Sequence, residues 1–428
     1  MIRWPGPTQG MTAGVIAAGV VASLVTSAIA TSMDALSLVL VAVLAGVALA
    51  TAIVRPELLF YAYCVAIPFN FALPPGPSGT VARIAGMGFF LGYLVRRPGA
   101  MRPDAIPLVG WLFIGWTLAS GLWAIDSGAA FSAWLSIAQL FAISLLIASL
   151  IAADTRVVRN ALWSYALSAT VTAVIGCISY LQSPAAFLGR AVAFPDQDPA
   201  LFASLILPAT IILMGEVQTR STKPLLRILA IVALAVCVVA LAISGTRSAW
   251  LGLIVATGAW LALQREPRQV IAVATLAITV VILVVAVPDA QTFLLGRAST
   301  SLVTGGSGRT DIWNVGLSIL ASAPLIGVGI GNFPTAFTPY VISQATASLA
   351  GGALYAGRAP HNVLLGTAVE TGLAGGLLLV AFLGSALVQS RGAQGNVIRV
   401  ALISLLVQSM FLDILQQKQL WLFLALAF

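Results

Sequence analysis

The sequence predicts an all-α membrane protein: a polytopic helix bundle of about 12–14 transmembrane segments with one long insertion on the non-cytoplasmic side. Apolar residues make up 60% of the 428 residues and charged residues only 8%, whereas a soluble domain is roughly one quarter charged. Apolar runs of about 20 residues, the length that crosses hydrocarbon, recur along the whole chain. Polar and apolar residues do not alternate within these runs, which therefore predict helices and not barrel strands.

The expected spans follow one another with short loops between most of them. They lie near residues 11–30, 35–53, 57–69, 80–95, 105–125, 130–151, 160–181, 199–215, 227–243, 248–263, 269–287, 361–386, 397–413 and 419–428. Several runs could merge or be re-entrant, because the third is short and the last is about half a span. The first run resembles a signal peptide, but its length and the runs behind it favour a retained span.

We expect three segments in the domain organisation. Residues 1–287 form a transmembrane bundle, residues 288–360 form a partly helical insertion that covers the functional site, and residues 361–428 complete the bundle. The insertion is rich in Gly, Ser and Thr, and it is too long to be a mere connection. Within it, Ile312, Val315 and Ile319 share one stripe, which predicts an amphipathic helix after Thr310.

Loop charges predict the orientation of the chain. With a cytoplasmic amino terminus, strict alternation of the spans places two thirds of all Lys and Arg on the cytoplasmic side. The loops 182–198, 244–247 and 288–360 then lie on the opposite side. Because the basic residues occupy short loops and not one exposed face, the net charge of +8 indicates topology and not nucleic-acid binding.

Three arginines lie on the side where the positive-inside rule disfavours them, namely Arg190, Arg247 and Arg309. A guanidinium group is permanently charged and grips phosphate through paired hydrogen bonds, so three arginines from separate loops predict a diphosphate ligand. The alternative is that each side chain reaches lipid headgroups or pairs with a nearby acid.

His361, the single histidine of the sequence, opens a span and is a candidate general base, although an interfacial capping role is the common alternative. Asn362 follows it, and Glu370 lies deeper in the same predicted helix. These two residues, together with Asp311, are possible supporting residues of the site. An acid in a span is a functional candidate, or else a protonated packing residue.

Three further patterns have weaker implications. Asp196 and Asp198 form an Asp-x-Asp pair, but two carboxylates without a third ligand make a poor metal site, and we expect no metal and no cofactor. Gly327, Gly329 and Gly331 fit a dinucleotide fingerprint only superficially and are expected to be backbone turns. The cysteines Cys64, Cys177 and Cys237 lie within apolar runs and are expected to be packing residues.

The order of the motifs resembles the O-antigen ligase and polymerase superfamily. Those motifs are Ser244-Gly-Thr-Arg247, Gly308-Arg-Thr-Asp-Ile-Trp313, Pro324-Leu-Ile-Gly-Val-Gly-Ile-Gly-Asn-Phe333, His361-Asn-Val-Leu-Leu365 and Glu370-Thr-Gly-Leu373. The resemblance is strongest over residues 244–373, and the preceding spans agree in general layout.

The resemblance implies an inverting, metal-independent glycosyltransferase of lipopolysaccharide biosynthesis. Its donor would be a glycan on undecaprenyl diphosphate, and its acceptor lipid A-core or another glycan, at a periplasmic active site of a multi-pass protein in the bacterial inner membrane. By position, Arg190 and Arg247 resemble arginines that bind the donor diphosphate, His361 resembles the base, and Arg309 matches a further family position.

Three alternatives to a ligase stay open at this point. A polymerase of O-antigen or exopolysaccharide would use the same donor and the same motifs. A transporter of lipid-linked sugars is disfavoured because Glu370 is nearly the only acid available near mid-membrane and no repeat is apparent. A structural scaffold of an envelope-assembly complex would not need the outer arginines.

Overall fold

The computed structural model describes residues 56–72, 81–96, 99, 101–183, 189–219, 224–263, 309–345, 358–390 and 392–428. Within these ranges the regular structure is α-helical, with two short 3-10 helices and no strand. The 3-10 helices are Pro103–Ala105 and Ser120–Trp123. The α-helices are α1 Pro56–Ala66, α2 Val81–Arg96, α3 Leu108–Ala119, α4 Ser127–Ala153, α5 Arg156–Gln182, α6 Pro199–Gln218, α7 Pro224–Ile243, α8 Arg247–Leu263, α9 Arg309–Ser322, α10 Phe333–Ala345, α11 Val363–Gln389, α12 Gly392–Ser409 and α13 Lys418–Ala427.

Five of these helices, α4, α5, α6, α7 and α11, are long and apolar enough to cross a membrane. Large apolar side chains also stay exposed on them; Leu225, Ile228 and Leu229 of α7 are each more than half exposed. Such a surface suits lipid and not water. The predicted fold class, an all-α polytopic membrane bundle, is confirmed, while the predicted spans at 11–30, 35–53 and 269–287 lie outside the described residues.

The chain divides into two compact units. Among the described residues, those within 56–102, 146–263 and 392–405 belong to unit one, and those within 103–145, 309–390 and 406–428 belong to unit two. The boundaries that the sequence led us to expect, at residues 287 and 360, stay a prediction.

In unit one, α5 packs against α1, α6 and α7, and α6 packs against α7 and α8. Polar side chains join these helices: the Tyr165 hydroxyl donates to the Leu205 carbonyl at 2.7 Å, and the Ser168 hydroxyl donates to the Val65 carbonyl. A β-carbon on Gly176 would collide with the Phe202 ring. Small residues and buried hydrogen bonds are how helices associate where lipid offers little hydrophobic driving force.

Contacts at the two ends of unit one show in which direction its helices run, and these directions agree with alternating spans. At one end, Arg159 of α5 forms a 3.4 Å ion pair with Glu216 of α6, and Trp260 of α8 donates to Gln218 at 3.1 Å. At the other end, the first residues of α6 and α8 meet, since the Thr246 hydroxyl donates to the Pro199 carbonyl at 3.1 Å. Helices α6 and α8 therefore run parallel, and α5 runs antiparallel to them.

In unit two, α9 and α10 pack on the first half of α11. Ile312, Val315 and Ile319 are buried against Phe333 and Val369, so the predicted amphipathic helix with this stripe is confirmed. The inserted segment thus contributes its own small apolar core next to the start of α11.

Helix α11 is broken at Gly372, whose φ of 72° lies in the left-handed region. A broken helix at membrane depth needs new partners for the freed backbone groups, because lipid supplies none. Four hydrogen bonds provide them: Val328 N to Val369 O at 3.1 Å, Gly329 N to Glu370 O at 2.7 Å, Trp116 Nε1 to Thr371 O at 2.8 Å, and Leu373 N to Pro324 O at 2.8 Å. The turn 323–332 is therefore bonded along the break.

Candidate functional site

Arg190 is bonded to the turn that precedes α8. Its Nε donates to the Ser244 carbonyl at 2.9 Å, and its Nη2 donates to the Thr246 hydroxyl at 3.1 Å. Gly245 makes the turn possible with a φ of 60°. Two segments more than fifty residues apart are thereby joined through a guanidinium group, which has the fork of donors that such paired contacts require.

Arg247 follows this turn as the first residue of α8, and its side chain is exposed. The amino terminus of a helix carries partial positive charge, which adds to that of the arginine itself. The structure therefore places the half-buried Arg190 against the turn that leads directly into Arg247. A cationic surface of this kind suits a phosphate or diphosphate group.

The acidic loop between Arg190 and α6 has a structural explanation. Asp198 is the N-cap of α6, where one carboxylate oxygen accepts from Ala200 N at 2.6 Å and from Leu201 N at 3.3 Å. Asp196 is exposed. Within the described part of the chain, no three side chains of the types His, Cys, Asp and Glu lie together as a metal site would require.

His361 lies two residues before α11 and is half-buried. Its φ of 49° places it in the left-handed region, an uncommon conformation for any residue except glycine. Both neighbours are held in place: the Pro360 carbonyl accepts from Trp313 Nε1 at 3.1 Å, and the Asn362 side chain caps α11 by accepting from Leu365 N at 3.0 Å. The imidazole is thus carried by a backbone segment that is fixed on both sides.

The other predicted residues of unit two lie near the same helices. Arg309 is the first residue of α9 and is half-buried, and Asp311 is exposed in the first turn of that helix. Because α9 packs on α11, these residues belong to the same small helical group as His361. That the arginines of unit one and His361 act in one site stays a prediction.

Glu370 is fixed by the glycine-rich turn and is not an isolated acid in a span. Its Oε1 accepts from Phe333 N at 3.1 Å, and the backbone of Gly331 also hydrogen-bonds the carboxylate. Gly327, Gly329 and Gly331 have φ values of 71°, 98° and 74°, and a β-carbon on any of them would collide with neighbouring atoms. The prediction that these glycines are backbone turns is confirmed.

Sequence reasoning missed Asn332, which holds this turn. Its Oδ1 accepts from Asp126 N at 2.6 Å, and its Nδ2 donates to the carbonyls of Asp126 and Ile330, each at 3.1 Å. The side chain is completely buried. The only signal in the sequence was a polar amide inside an otherwise apolar and glycine-rich stretch, and the partner at Asp126 is over two hundred residues away.

Residues 230–380 match the family model described as O-antigen ligase. The predicted resemblance to the O-antigen ligase superfamily is confirmed over that range. No curated protein matches the chain. The matched range contains Arg247, Arg309, His361 and Glu370, whereas Arg190 lies before it. In general terms, the family match and the apolar helices support a membrane protein with a function of the O-antigen ligase or polymerase type.

In this O-antigen ligase domain, the first half of α11 borders a small cavity that sequence reasoning also missed. Thr367 and Glu370 of α11 line it together with Asp413 and Gln416 from the loop between α12 and α13. Asp413 is exposed at the mouth of the cavity, and desolvation by the protein packed around its carboxyl group raises the pKa of that group. The sequence distance of over forty residues hid this grouping of Thr367 with Asp413.

Proposed function

We propose that the protein is an O-antigen ligase-like glycosyltransferase that transfers a polysaccharide from undecaprenyl diphosphate to lipid A-core at the periplasmic face of the bacterial inner membrane. The observation that carries the proposal is the bonding of Arg190 to the turn that leads into Arg247, within a chain whose residues 230–380 match the O-antigen ligase family. Two guanidinium groups held near each other are suited to the two phosphates of the donor.

In the proposed reaction these arginines stabilise the leaving group. Negative charge grows on the diphosphate as the bond to the anomeric carbon breaks, and donors already in position stabilise that charge without reorganising. Thr246 helps indirectly, because its hydroxyl accepts from Arg190 and donates to the Pro199 carbonyl, which orients the guanidinium group.

His361 is proposed to take the proton from the acceptor hydroxyl. Its fixed neighbours, Pro360 and Asn362, hold the backbone that carries the imidazole. Attack opposite to the departing diphosphate inverts the anomeric carbon. No step needs a metal ion or a cofactor, and transfer is expected to continue in excess chelator. Residues 288–360 are proposed to cover the site and to hold the acceptor.

The test is a transfer assay with the purified full-length chain, a lipid-diphosphate-linked glycan and lipid A-core. We expect Arg247→Ala and His361→Ala each to lower kcat at least 100-fold, since each removes one group that acts in the transition state. Arg247→Lys should also transfer poorly, because an ammonium group cannot make the two-pronged phosphate contact. Arg227→Ala, an exposed arginine at the other end of α7 from this turn, is the matched control and should transfer normally.

Near-normal transfer by His361→Ala would remove the general-base role. Equal membrane levels and equal elution on size exclusion for all four variants are required, so that a lost activity is not a lost fold.

A polymerase is the second candidate, because the family match covers ligase and polymerase activities alike. Deletion of the gene separates the two. Lipid A-core without polymer, while polymer is still made, identifies a ligase. Single repeat units on lipid A-core identify a polymerase.

A further inference from the structure

The small cavity in unit two has a volume of about 40 Å³, which is room for a few water molecules. Its polar lining consists of Thr367, Glu370, Asp413 and Gln416. Apolar side chains, among them Ile137 and Leu415, form the rest of the wall. Asp413 and Gln416 are exposed, so the cavity opens at the loop between α12 and α13, and its inner end lies on α11.

Thr367 points to a missing partner at the inner end. The residue is only 2% exposed, and its hydroxyl makes no hydrogen bond. A threonine in an apolar helix ordinarily donates to the carbonyl four residues earlier, as Thr371 does to the Thr367 carbonyl at 2.7 Å. A buried hydroxyl without a partner is costly, unless a group that enters the cavity supplies the bond.

The two carboxylates define what kind of group fits. Glu370 already accepts hydrogen bonds from the backbone of Gly331 and Phe333, which fix its orientation and leave part of its acceptor capacity. Asp413 accepts only a long bond from Leu415 N, at 3.4 Å. Carboxylates accept hydrogen bonds, and a threonine hydroxyl both donates and accepts. The fitting ligand therefore carries several hydroxyl groups on one edge.

A divalent cation fits this lining less well. Calcium and magnesium take six or more oxygen ligands, whereas the cavity offers two carboxylates, one of which is partly engaged by backbone N–H groups, together with one hydroxyl and one amide. The apolar walls provide no further ligands for an ion, but they do match the C–H surface of a sugar. A whole sugar ring exceeds the enclosed volume, so only one edge of a ring can enter.

We propose that this cavity is a binding subsite for the hydroxyl edge of the acceptor sugar, with Thr367, Glu370 and Asp413 as its polar contacts. The inference rests on the proposed glycosyl transfer and extends it. The subsite lies at the beginning of α11, the helix that follows His361 directly, so a sugar held here is in the same part of unit two as the proposed base.

The test uses the full-length chain in detergent without donor, so that binding is measured apart from transfer. Two probes distinguish the possible sources of the acceptor: core oligosaccharide released from lipopolysaccharide, and the free repeat-unit oligosaccharide. Saturation-transfer NMR gives the affinity of each probe. Thr367→Val removes the hydroxyl at nearly constant volume. The matched control is Thr371→Val, one turn further along α11, whose hydroxyl is already bonded within the helix and does not line the cavity.

For one of the two probes, we expect Thr367→Val to weaken binding about threefold to tenfold, the value of a lost hydrogen bond. Thr367→Ser should bind as the wild type does, and Thr371→Val should show no change. In the transfer assay, Thr367→Val should raise the KM for the acceptor by the same factor and leave the KM for the donor within twofold. If Thr367→Val does not fold, Asp413→Asn at the exposed rim serves in its place, with the same expected loss.

Several outcomes would overturn the subsite. They are wild-type affinity in both Thr367→Val and Asp413→Asn, an equal loss of donor and acceptor affinity, or a thermal shift by calcium chloride that disappears in Thr367→Val. Absence of binding of both probes by the wild-type chain would overturn it as well. These results are independent of the transfer assay with Arg247→Ala and His361→Ala. A failure of the subsite proposal can therefore be distinguished from a failure of the proposed glycosyl transfer.

Discussion

Two helix-capping side chains, each with an acceptor oxygen, fix the positions of the residues proposed to act in glycosyl transfer. Asp198 caps α6 at the end of the loop that begins with Arg190, and Asn362 caps α11 directly after His361. In both cases a side-chain oxygen accepts hydrogen bonds from backbone N–H groups at the start of the helix, which would otherwise have no partners in the helix. The cap therefore sets where the helix begins, and with it the place of the neighbouring cation or imidazole.

This role gives a prediction at the level of a single residue. Asp198→Ala should lower the stability of the protein by about 1 kcal/mol, whereas Asp198→Asn, which keeps the capping oxygen, should be nearly neutral. Thermal unfolding of the detergent-solubilised chain measures the difference. A metal ligand would behave otherwise: both substitutions would then be equally harmful, and excess chelator would reproduce their effect on the wild type.

At the level of elements, the broken helix α11 is what residue patterns alone did not reveal. Val363–Gln389 is apolar enough on average to read as one span, and glycine is common in membrane helices, so the residues around Gly372 do not by themselves predict a break. The break depends on Pro324 and Val328, which are about forty residues away in the chain and supply the partner groups. The stripe of Ile312, Val315 and Ile319 was predictable, because periodicity is a local property.

Gly372→Ala tests the break. A β-carbon at this position would overlap the Leu325 carbonyl, and alanine disfavours a φ of 72°. We expect a loss of at least about 2 kcal/mol, seen as a large fall in the unfolding temperature or in the amount of protein in the membrane.

The control is Gly384→Ala in the second half of the same helix. Nothing lies within 4 Å of a β-carbon there, so this substitution should be neutral or slightly stabilising. An unfolding temperature of Gly372→Ala equal to that of Gly384→Ala would show that the helix does not need its break.

For the whole molecule, composition and loop charge predicted the class of fold, because burial in lipid imposes a simple rule on every span. They also predicted that certain loops lie on the same side of the membrane, and within unit one the structure shows two of these loops, 189–198 and 244–247, in contact. What they could not provide is side-chain convergence over long sequence distances. Asn332 with Asp126, and Thr367 with Asp413, depend on packing between helices that no local pattern encodes.

The predicted orientation can be tested on the two ends of one helix. Ser127 and Thr155 are exposed residues that flank the apolar part of α4. In a Cys177→Ala background, where the remaining cysteines are buried, we expect a membrane-impermeant maleimide to label Ser127→Cys in spheroplasts and to label Thr155→Cys only after lysis. Labelling in the reverse order would place the proposed arginine site at the cytoplasmic face and contradict the assignment.

The hydrogen bonds across the break in α11 limit how this protein can vary. An insertion or deletion within residues 324–329 would shift the register of the donors and acceptors that face residues 369–373, even though the inserted residues never touched a substrate. Likewise, a change that straightened the helix would leave the backbone groups of the opposing turn without their hydrogen-bond partners. We therefore expect the two stretches to tolerate change only together, and chimaeras between related enzymes should exchange both or neither.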